Sequence, residues 1–373
     1  MCDTFLSKYA QQCGKPSPVN EMTKGFASDF REGIDINLGV GYVNDDTIPA
    51  ELIATAFKEV INDPLTYRNA LNYGGADGSP ALKTAIKKYY IDNAIGGLTE
   101  VDFTKIAISI GANGATSILN AFADIFSPGI VITADPMYYI YCNTLVRKGF
   151  DVVTVPEDND GIQTDLLKEL LEKIDISRLR FLYIVTVNNP SCTILSNARK
   201  EIVKLIAEIK LNIMFLFRLF LIRAYEDIIH NQELEPRISA LSFDDNNVVF
   251  EVGTFSKIIA PALRIGYVLS KNIKILNLLD QVVSDIGFSA PLINQEITAW
   301  LLTHYIKTQL QFVNSAYREK AFVLSEFLNA TLEHRLINMY GGDAGFYFYM
   351  TLCVPTHRNL LFYKFLSRTT GNV

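Results

Sequence analysis

From residue 106 to residue 187 the sequence alternates short apolar runs with amphipathic stretches, and this alternation leaves few folds open. Residues 106–110, 130–133, 152–155 and 181–187 read as strands. Between them, Ile118, Leu119, Phe122, Ile125 and Phe126 recur at helical spacing, as do Leu166, Leu167, Leu170 and Leu171. A β-α-β order of this kind builds a mostly parallel sheet with helices on both faces. Ligands of such sheets gather at the carboxyl ends of the strands. The residues just past each run are therefore the first candidates for chemistry.

One such place carries a strong signal. The stretch 251–270 reads EVGTFSKIIAPALRIGYVLS: an apolar run ends in Gly-Thr-Phe-Ser-Lys, a proline turn follows, and Arg264 precedes a second strand-like run at 265–269. A lysine at the end of a buried strand is costly unless it is paired or neutral. Burial favours the neutral, nucleophilic amine, the form that makes Schiff bases with carbonyl compounds. The hydroxyls of Thr254 and Ser256 beside Lys257, with the fixed cation of Arg264, suit a ligand carrying both an aldehyde and a phosphate. Taken alone, the same stretch also reads as a surface turn.

Thr254-Phe255-Ser256-Lys257 followed by Arg264-Ile265-Gly266 resembles the lysine signature of the fold-type I pyridoxal-phosphate enzymes, specifically the class I/II aminotransferases. Further segments resemble the same family in the same order. IDINLGVGY at 34–42 is similar to its N-terminal glycine segment, which implies a substrate-binding role for Gly39. NYGGADGSPALK at 72–83 resembles the segment whose tyrosine reaches the cofactor phosphate of the neighbouring subunit, which implies that role for Tyr73 and a homodimer. Gly111-Ala112-Asn113-Gly114 joins a strand to a helix, leaving backbone N–H groups at the positive end of the helix dipole. It resembles the family's phosphate-binding turn, with Ala112, Asn113 and Gly114 as candidates. Asp135-Pro136-Met137-Tyr138 resembles the family's Pro-x-Tyr element, which implies that Tyr138 stacks on the pyridine ring; a buried core tyrosine is the competing reading. Asn188-Asn189-Pro190-Ser191 implies that Asn189 donates to the cofactor's phenolic oxygen, with Cys192 where glycine is usual. Tyr225 matches the tyrosine of the family's Asp-x-x-Tyr element, which bonds the same oxygen.

Two pieces of the pattern are absent. Counting back from Tyr225, the aspartate that pairs with the pyridine nitrogen is replaced by Ile222, and no carboxylate occurs between Glu208 and Glu226. Arg223 is a weaker alternative for a group facing that nitrogen. The apolar run here is also longer than the strand it replaces. It is no membrane span, since residues 213–222 number ten and include Arg218, against about 20 needed. Near the other end, Ala344-Gly345-Phe346-Tyr347-Phe348-Tyr349 resembles the family's small-domain Gly-Gly-x-Phe strand. No later segment resembles the arginine element that clamps a substrate carboxylate, and Arg358 and Arg368 sit in other contexts.

A chain of 373 residues is expected to divide into one large and one small domain. The expectation is α/β: a fold-type I pyridoxal-phosphate-transferase-like large domain at 44–290, its mostly parallel sheet between helices. A smaller, C-terminally truncated α+β domain is expected from 1–43 and 291–373. Net charge is −6 with the basic residues scattered, which argues against nucleic acid as a partner. Five cysteines without metal-like spacing and four scattered histidines point to a reduced, cytoplasmic protein without a metal site. The N-terminus has no apolar core of the secretory kind, and a fusion to a DNA-binding module is a disfavoured expectation, since residues 1–33 read as no such domain. The resemblance implies pyridoxal 5′-phosphate on Lys257, which also moves the substrate α-proton, and transfer of an amino group to a 2-oxo acid. The donor is expected to be of the aromatic or 2-aminoadipate kind. The two absences keep open a cofactor-binding but impaired relative, and shared cofactor motifs keep open a pyridoxal-dependent lyase.

Overall fold

Runs rich in Val, Ile and Phe, closed by glycine or polar turns, build the strands of a single eight-stranded sheet. The computed structural model describes residues 5–13, 31, 34, 41–67, 70–203, 217–332 and 334–353. Strands β1 (Ala107–Ile110), β2 (Ile130–Asp135), β3 (Asp151–Asp158), β4 (Gly161–Ile162), β5 (Leu179–Val185), β6 (Arg218–Ile222), β7 (Val249–Thr254) and β8 (Gly266–Ser270) lie in the order β1-β8-β7-β6-β5-β2-β3-β4. The pairings β3–β2, β2–β5, β5–β6 and β6–β7 are parallel. β8 runs antiparallel to both β7 and β1. β4 is likewise antiparallel to β3, so the sheet is mostly parallel, as the alternation implies, with a reversed strand at or next to each edge.

Each face is covered by helices. On one side, α1 (Ala50–Asn62) and α2 (Pro80–Asp92) pack with α7 (Leu292–His304). Pro80 opens α2, and the Ser79 hydroxyl accepts from the Leu82 N–H at 3.3 Å. On the other side, α3 (Gly114–Ile125) and α6 (Ile273–Gly287) bury Ile118, Phe122, Leu276, Leu279 and Val283. Phe122 of α3 stacks on Phe220 of β6 with ring centroids 4.1 Å apart. Helices α4 (Tyr139–Arg147) and α5 (Thr164–Lys173) complete the crossovers. The 27-residue α8 (Ile306–Leu332) then leads to a two-stranded antiparallel sheet, β9 (Leu336–Tyr340) with β10 (Tyr349–Leu352).

Some details differ from the sequence reading. In α1 the spacing of Ile53, Phe57, Val60 and Ile61 predicts one apolar face, yet Phe57 and Ile61 are exposed whereas Ala56 and Val60 are buried. Of the long apolar run, Arg218–Ile222 forms a strand and Arg218 itself is buried in it. Ser196 accepts from the Arg199 N–H at 3.3 Å and opens a 3₁₀ turn, Ala198–Glu201. The sequence reads Ser196 as the cap of a helix with Ile202, Val203, Leu205, Ile206 and Ile209 on its apolar face; of these, Leu205, Ile206 and Ile209 lie outside the described residues. Among the described residues no helix is long and apolar enough to cross a membrane, and no cluster of His, Cys, Asp and Glu would hold a metal.

Candidate active site

β7 and β8 are antiparallel neighbours, with Thr254 opposite Gly266, so the chain between them is a loop pinned at both ends. The Thr254 hydroxyl donates to the Ile265 carbonyl at 2.9 Å and lies 2.8 Å from the Ser256 hydroxyl. Lys257 projects from this loop, half-buried. Its Nζ lies 5.4 Å from the ring centre of Tyr225 and 5.5 Å from that of Phe346. Burial, with the Arg264 guanidinium second, lowers the amine to about 8. A large share of the amine is therefore neutral near pH 8, the state that attacks a carbonyl.

The far end of the same loop meets the glycine turn. Arg264 adopts left-handed backbone (φ 54°). Its Nε donates to Asn113 Oδ1 at 2.8 Å and its Nη2 to the Asn113 carbonyl at 3.2 Å. A Cβ added at Gly266 would lie 2.2 Å from the Ala115 nitrogen, so only glycine lets β8 pass the start of α3. Gly114 turns the chain with φ 68°. The Asn113 N–H is taken by Ser117 Oγ at 2.8 Å. The first N–H groups of α3 have no partner within the helix and suit an anion. Asn113, Gly114, Arg264 and the Thr254–Ser256 hydroxyl pair thus meet in one place, where β8 crosses the start of α3. Ala112 sits beside them in the apolar cluster that contains Ile222.

A third group closes the site. Tyr225 is buried, which pushes its phenol well above the usual range. Asn189 Nδ2 donates to its hydroxyl at 3.4 Å, and the hydroxyl of Tyr347 lies 3.3 Å away. Asn188 Nδ2 donates to the Pro136 carbonyl and to Glu157 Oε2, both at 2.8 Å. Glu157 also accepts from Thr193 Oγ1 at 3.2 Å, so it ties the Asn189 turn to the Tyr138 segment. Burial raises Glu157 despite these donors. Tyr138, half-buried, packs against the cluster that holds Ala112, and burial raises its phenol.

Within this chain Tyr73 stays away from the group: it is 82% exposed and rests on Phe288, ring centroids 5.4 Å apart. Gly39 lies outside the described residues. Ile222 is buried at the end of β6, on the sheet face that carries Ala112. The alternative reading of Arg223 is overturned. Strand alternation turns it to the opposite face, where it donates to Glu251 Oε2 at 2.9 Å, pairs with Glu226 Oε2 at 3.2 Å and lies over the Tyr90 ring. Tyr347 and Glu157 were not singled out from sequence. Tyr347 falls inside a recognised segment, and its hydroxyl, where the family pattern has phenylalanine, was the signal to follow.

The donor set fits a phosphorylated aldehyde with an aromatic ring: an amine of lowered basicity, an anion cradle beside it and paired phenolic donors. The single mismatch is the apolar wall at Ile222. Comparison with known proteins agrees. The description of aminotransferase class I and II matches residues 34–368. An aromatic-amino-acid aminotransferase of Thermococcus litoralis is 26% identical over 63% of this chain and 54% of its own length. An uncharacterized HTH-type transcriptional regulator of Bacillus subtilis is 25% identical over 89% of this chain and 65% of its own. The chain therefore spans less than two thirds of these two relatives. A 2-aminoadipate transaminase of Thermus thermophilus is 25% identical over 78% of this chain and 68% of its own. Among solved structures, an archaeal alanine:glyoxylate aminotransferase superposes with a TM-score of 0.85 at 21% identity, covering 99% of this chain and 88% of that one. The Pyrococcus horikoshii kynurenine aminotransferase gives 0.81 at 21% identity, covering 98% and 85%. A Thermus thermophilus α-aminoadipate aminotransferase solved with N-(5′-phosphopyridoxyl)-L-leucine gives 0.80 at 20% identity, covering 98% and 86%. The chain belongs to the aminotransferase class I and II family.

Proposed function

We propose that this chain moves an amino group from an amino acid to a 2-oxo acid, with Lys257 as the residue that holds the cofactor. The observation that carries the reading is the Lys257 amine, lowered to about 8, on one short loop with an arginine that meets the start of a helix. When bound, pyridoxal phosphate supplies an aldehyde to take up the amino group and a conjugated ring to accept electrons from the α-carbon. Lys257 would hold the cofactor at its aldehyde carbon, and its neutral amine would take the substrate α-proton. Arg264, Thr254, Ser256 and the N–H groups after Asn113 and Gly114 hold the phosphate. Tyr138 lies against the ring, and Asn189 and Tyr225 donate to the phenolic oxygen. The relatives named above support an aromatic or 2-aminoadipate donor. The exposed Tyr73–Phe288 pair supports a homodimer in which Tyr73 serves the partner's site. The cofactor site belongs to the unit at 44–290.

Ile222 supports a second reading, that of a cofactor-binding relative with weakened amino transfer. An isoleucine offers the ring nitrogen no counter-charge, and losing one charge-assisted hydrogen bond of about 1.5–3 kcal/mol slows a step roughly tenfold to a hundredfold. The test is to load purified protein with pyridoxal phosphate, add single amino acids in excess and follow the cofactor absorbance. Conversion by an aromatic amino acid or 2-aminoadipate, lost in Lys257→Ala, supports transfer. Binding without conversion by any amino acid supports the second reading.

A further inference from the structure

Tyr347 comes from the segment between β9 and β10, yet its hydroxyl stands inside the group formed by Tyr225 and Asn189. The backbone brings it there closely. Its N–H donates to Cys192 Sγ at 3.4 Å, and a Cβ at Gly345 would lie 2.5 Å from that sulfur. A Cβ at Gly41 would lie 1.8 Å from the Tyr347 hydroxyl, so the phenol fills space that only glycine leaves. Two phenols and one amide then share very few protons. Asn189 Nδ2 can only donate, and it faces both hydroxyls. Each phenol has one proton, and in the 3.3 Å contact between them either can be the donor. If Tyr225 gives its proton to Tyr347, none remains for a ligand. If Tyr347 gives its proton to Tyr225, the Tyr225 proton is left free for a ligand.

We propose that Tyr347 is a positioning residue of this site, donating to the Tyr225 hydroxyl so that Tyr225 keeps its own proton for the ligand oxygen. The proposal rests on the cofactor reading above. A donated hydrogen bond polarises the acceptor hydroxyl and strengthens the next bond in the chain. The Tyr347 hydroxyl therefore acts at a distance on the ligand oxygen, favouring its anionic form. The titratable groups that face Tyr225 are Tyr347, Cys192, Tyr138 and the Lys257 amine. Burial raises the Cys192 thiol to about 11, so it stays protonated and neutral across the working range.

The test compares wild type, Tyr347→Phe and Cys192→Ala, each loaded with pyridoxal phosphate. It measures the pH midpoint of the visible absorbance and the cofactor Kd by equilibrium dialysis. Phenylalanine keeps the ring and its packing and removes only the hydroxyl. The midpoint of Tyr347→Phe should rise by about half a pH unit, because the anionic oxygen loses part of its donor, and Kd should weaken by about two- to fivefold. Cys192→Ala should move the midpoint the same way by less, since it loosens the backbone that holds the phenol. A Tyr347→Phe midpoint equal to wild type overturns the proposal, whatever happens to Kd, because a purely structural role would leave the midpoint in place. A wild type without a borohydride-bleachable band overturns the cofactor reading and this proposal with it. A normal band with an unmoved midpoint removes only the role given to Tyr347.

Discussion

Replacing Ile222 by aspartate tests the weakest part of the site. Ile222 is 4% exposed, pairs with Val185 and Val252 in the sheet and faces the side that carries Ala112. Removing its side chain forfeits about 2 kcal/mol of apolar burial. Without cofactor the new carboxyl has only apolar strand neighbours, so it stays protonated by an upward pKa shift. A carboxyl held neutral at pH 7 against an unfolded value near 3.9 costs about 4 kcal/mol more. The empty variant should therefore lose roughly 6 kcal/mol, a large part of a typical domain stability. The sign follows from the raised folded pKa: this loss grows as pH rises from about 4 to the folded value. With cofactor bound, the ring nitrogen pairs with the carboxylate, and the regained charge-assisted bond should speed the half-reaction about tenfold to a hundredfold. Single-turnover absorbance with excess amino acid measures the rate, and thermal unfolding with and without cofactor measures the pairing. The cofactor-induced rise in Tm should be larger in Ile222→Asp than in wild type. An unchanged half-reaction rate and an unchanged cofactor-induced Tm rise, in a folded and loaded variant, would refute the reasoning.

Other outcomes follow from the same geometry. Lys257→Ala should lose the visible band that borohydride bleaches; retention of that band with the same labelled peptide would reassign the lysine. Because burial and Arg264 lower the Lys257 amine to about 8, the rate of aldehyde capture should climb with pH and level off above that value. In the empty protein a folded value below the unfolded one near 10.4 means that stability rises with pH between the two, readable as Tm against pH. Arg264→Gln should move the capture midpoint upward, since a cation is removed, and weaken cofactor binding about tenfold through the lost phosphate partner, measured by dialysis. Tyr73→Ala should weaken cofactor binding although Tyr73 lies away from its own chain's site; full-strength binding by a strictly monomeric species in sedimentation would sink the homodimer.

What the sequence disclosed depended on how far apart the interacting residues lie. The loop between β7 and β8 was legible because its parts, Thr254, Ser256, Lys257 and Arg264, are close in the chain and differ sharply in chemistry. The crossover helices were legible from spacing, since Ile118 and Phe122 mark one face of α3 as plainly in the text as in the fold. The reversed edge was not, because β8 pairs with β1, well over a hundred residues earlier, and nothing local declares direction. Phe57 and Ile61 look like core positions by spacing alone, but burial depends on what α1 meets, and α7 covers a different stripe. Tyr347 lies in a segment that the sequence singled out, yet its partner Tyr225 is 122 residues away and only folding brings the phenols together.

The buried ions behind β6 have a consequence for how that strand is aligned. Arg223 is held by Glu226 and Glu251, and Glu251 is itself held by the Ser239 hydroxyl and the Ala240 N–H, both at 2.8 Å. Side chains alternate across a strand, so a slip of one residue would carry this guanidinium into the apolar layer around Phe220 and Phe122. It would also leave the Glu251 carboxylate buried without its cation. Separating such a pair costs about 3–5 kcal/mol, far more than a strand gains from any near-equivalent pairing of Leu and Ile. The cluster works as an index mark: it fixes which residue of the long apolar run stands at the sheet's ligand-bearing end. Variation in chain length before residue 217 must be taken up ahead of the strand, because the strand cannot slide to absorb it. Ile222 holds its place in the wall through an arginine on the opposite face that never touches the site.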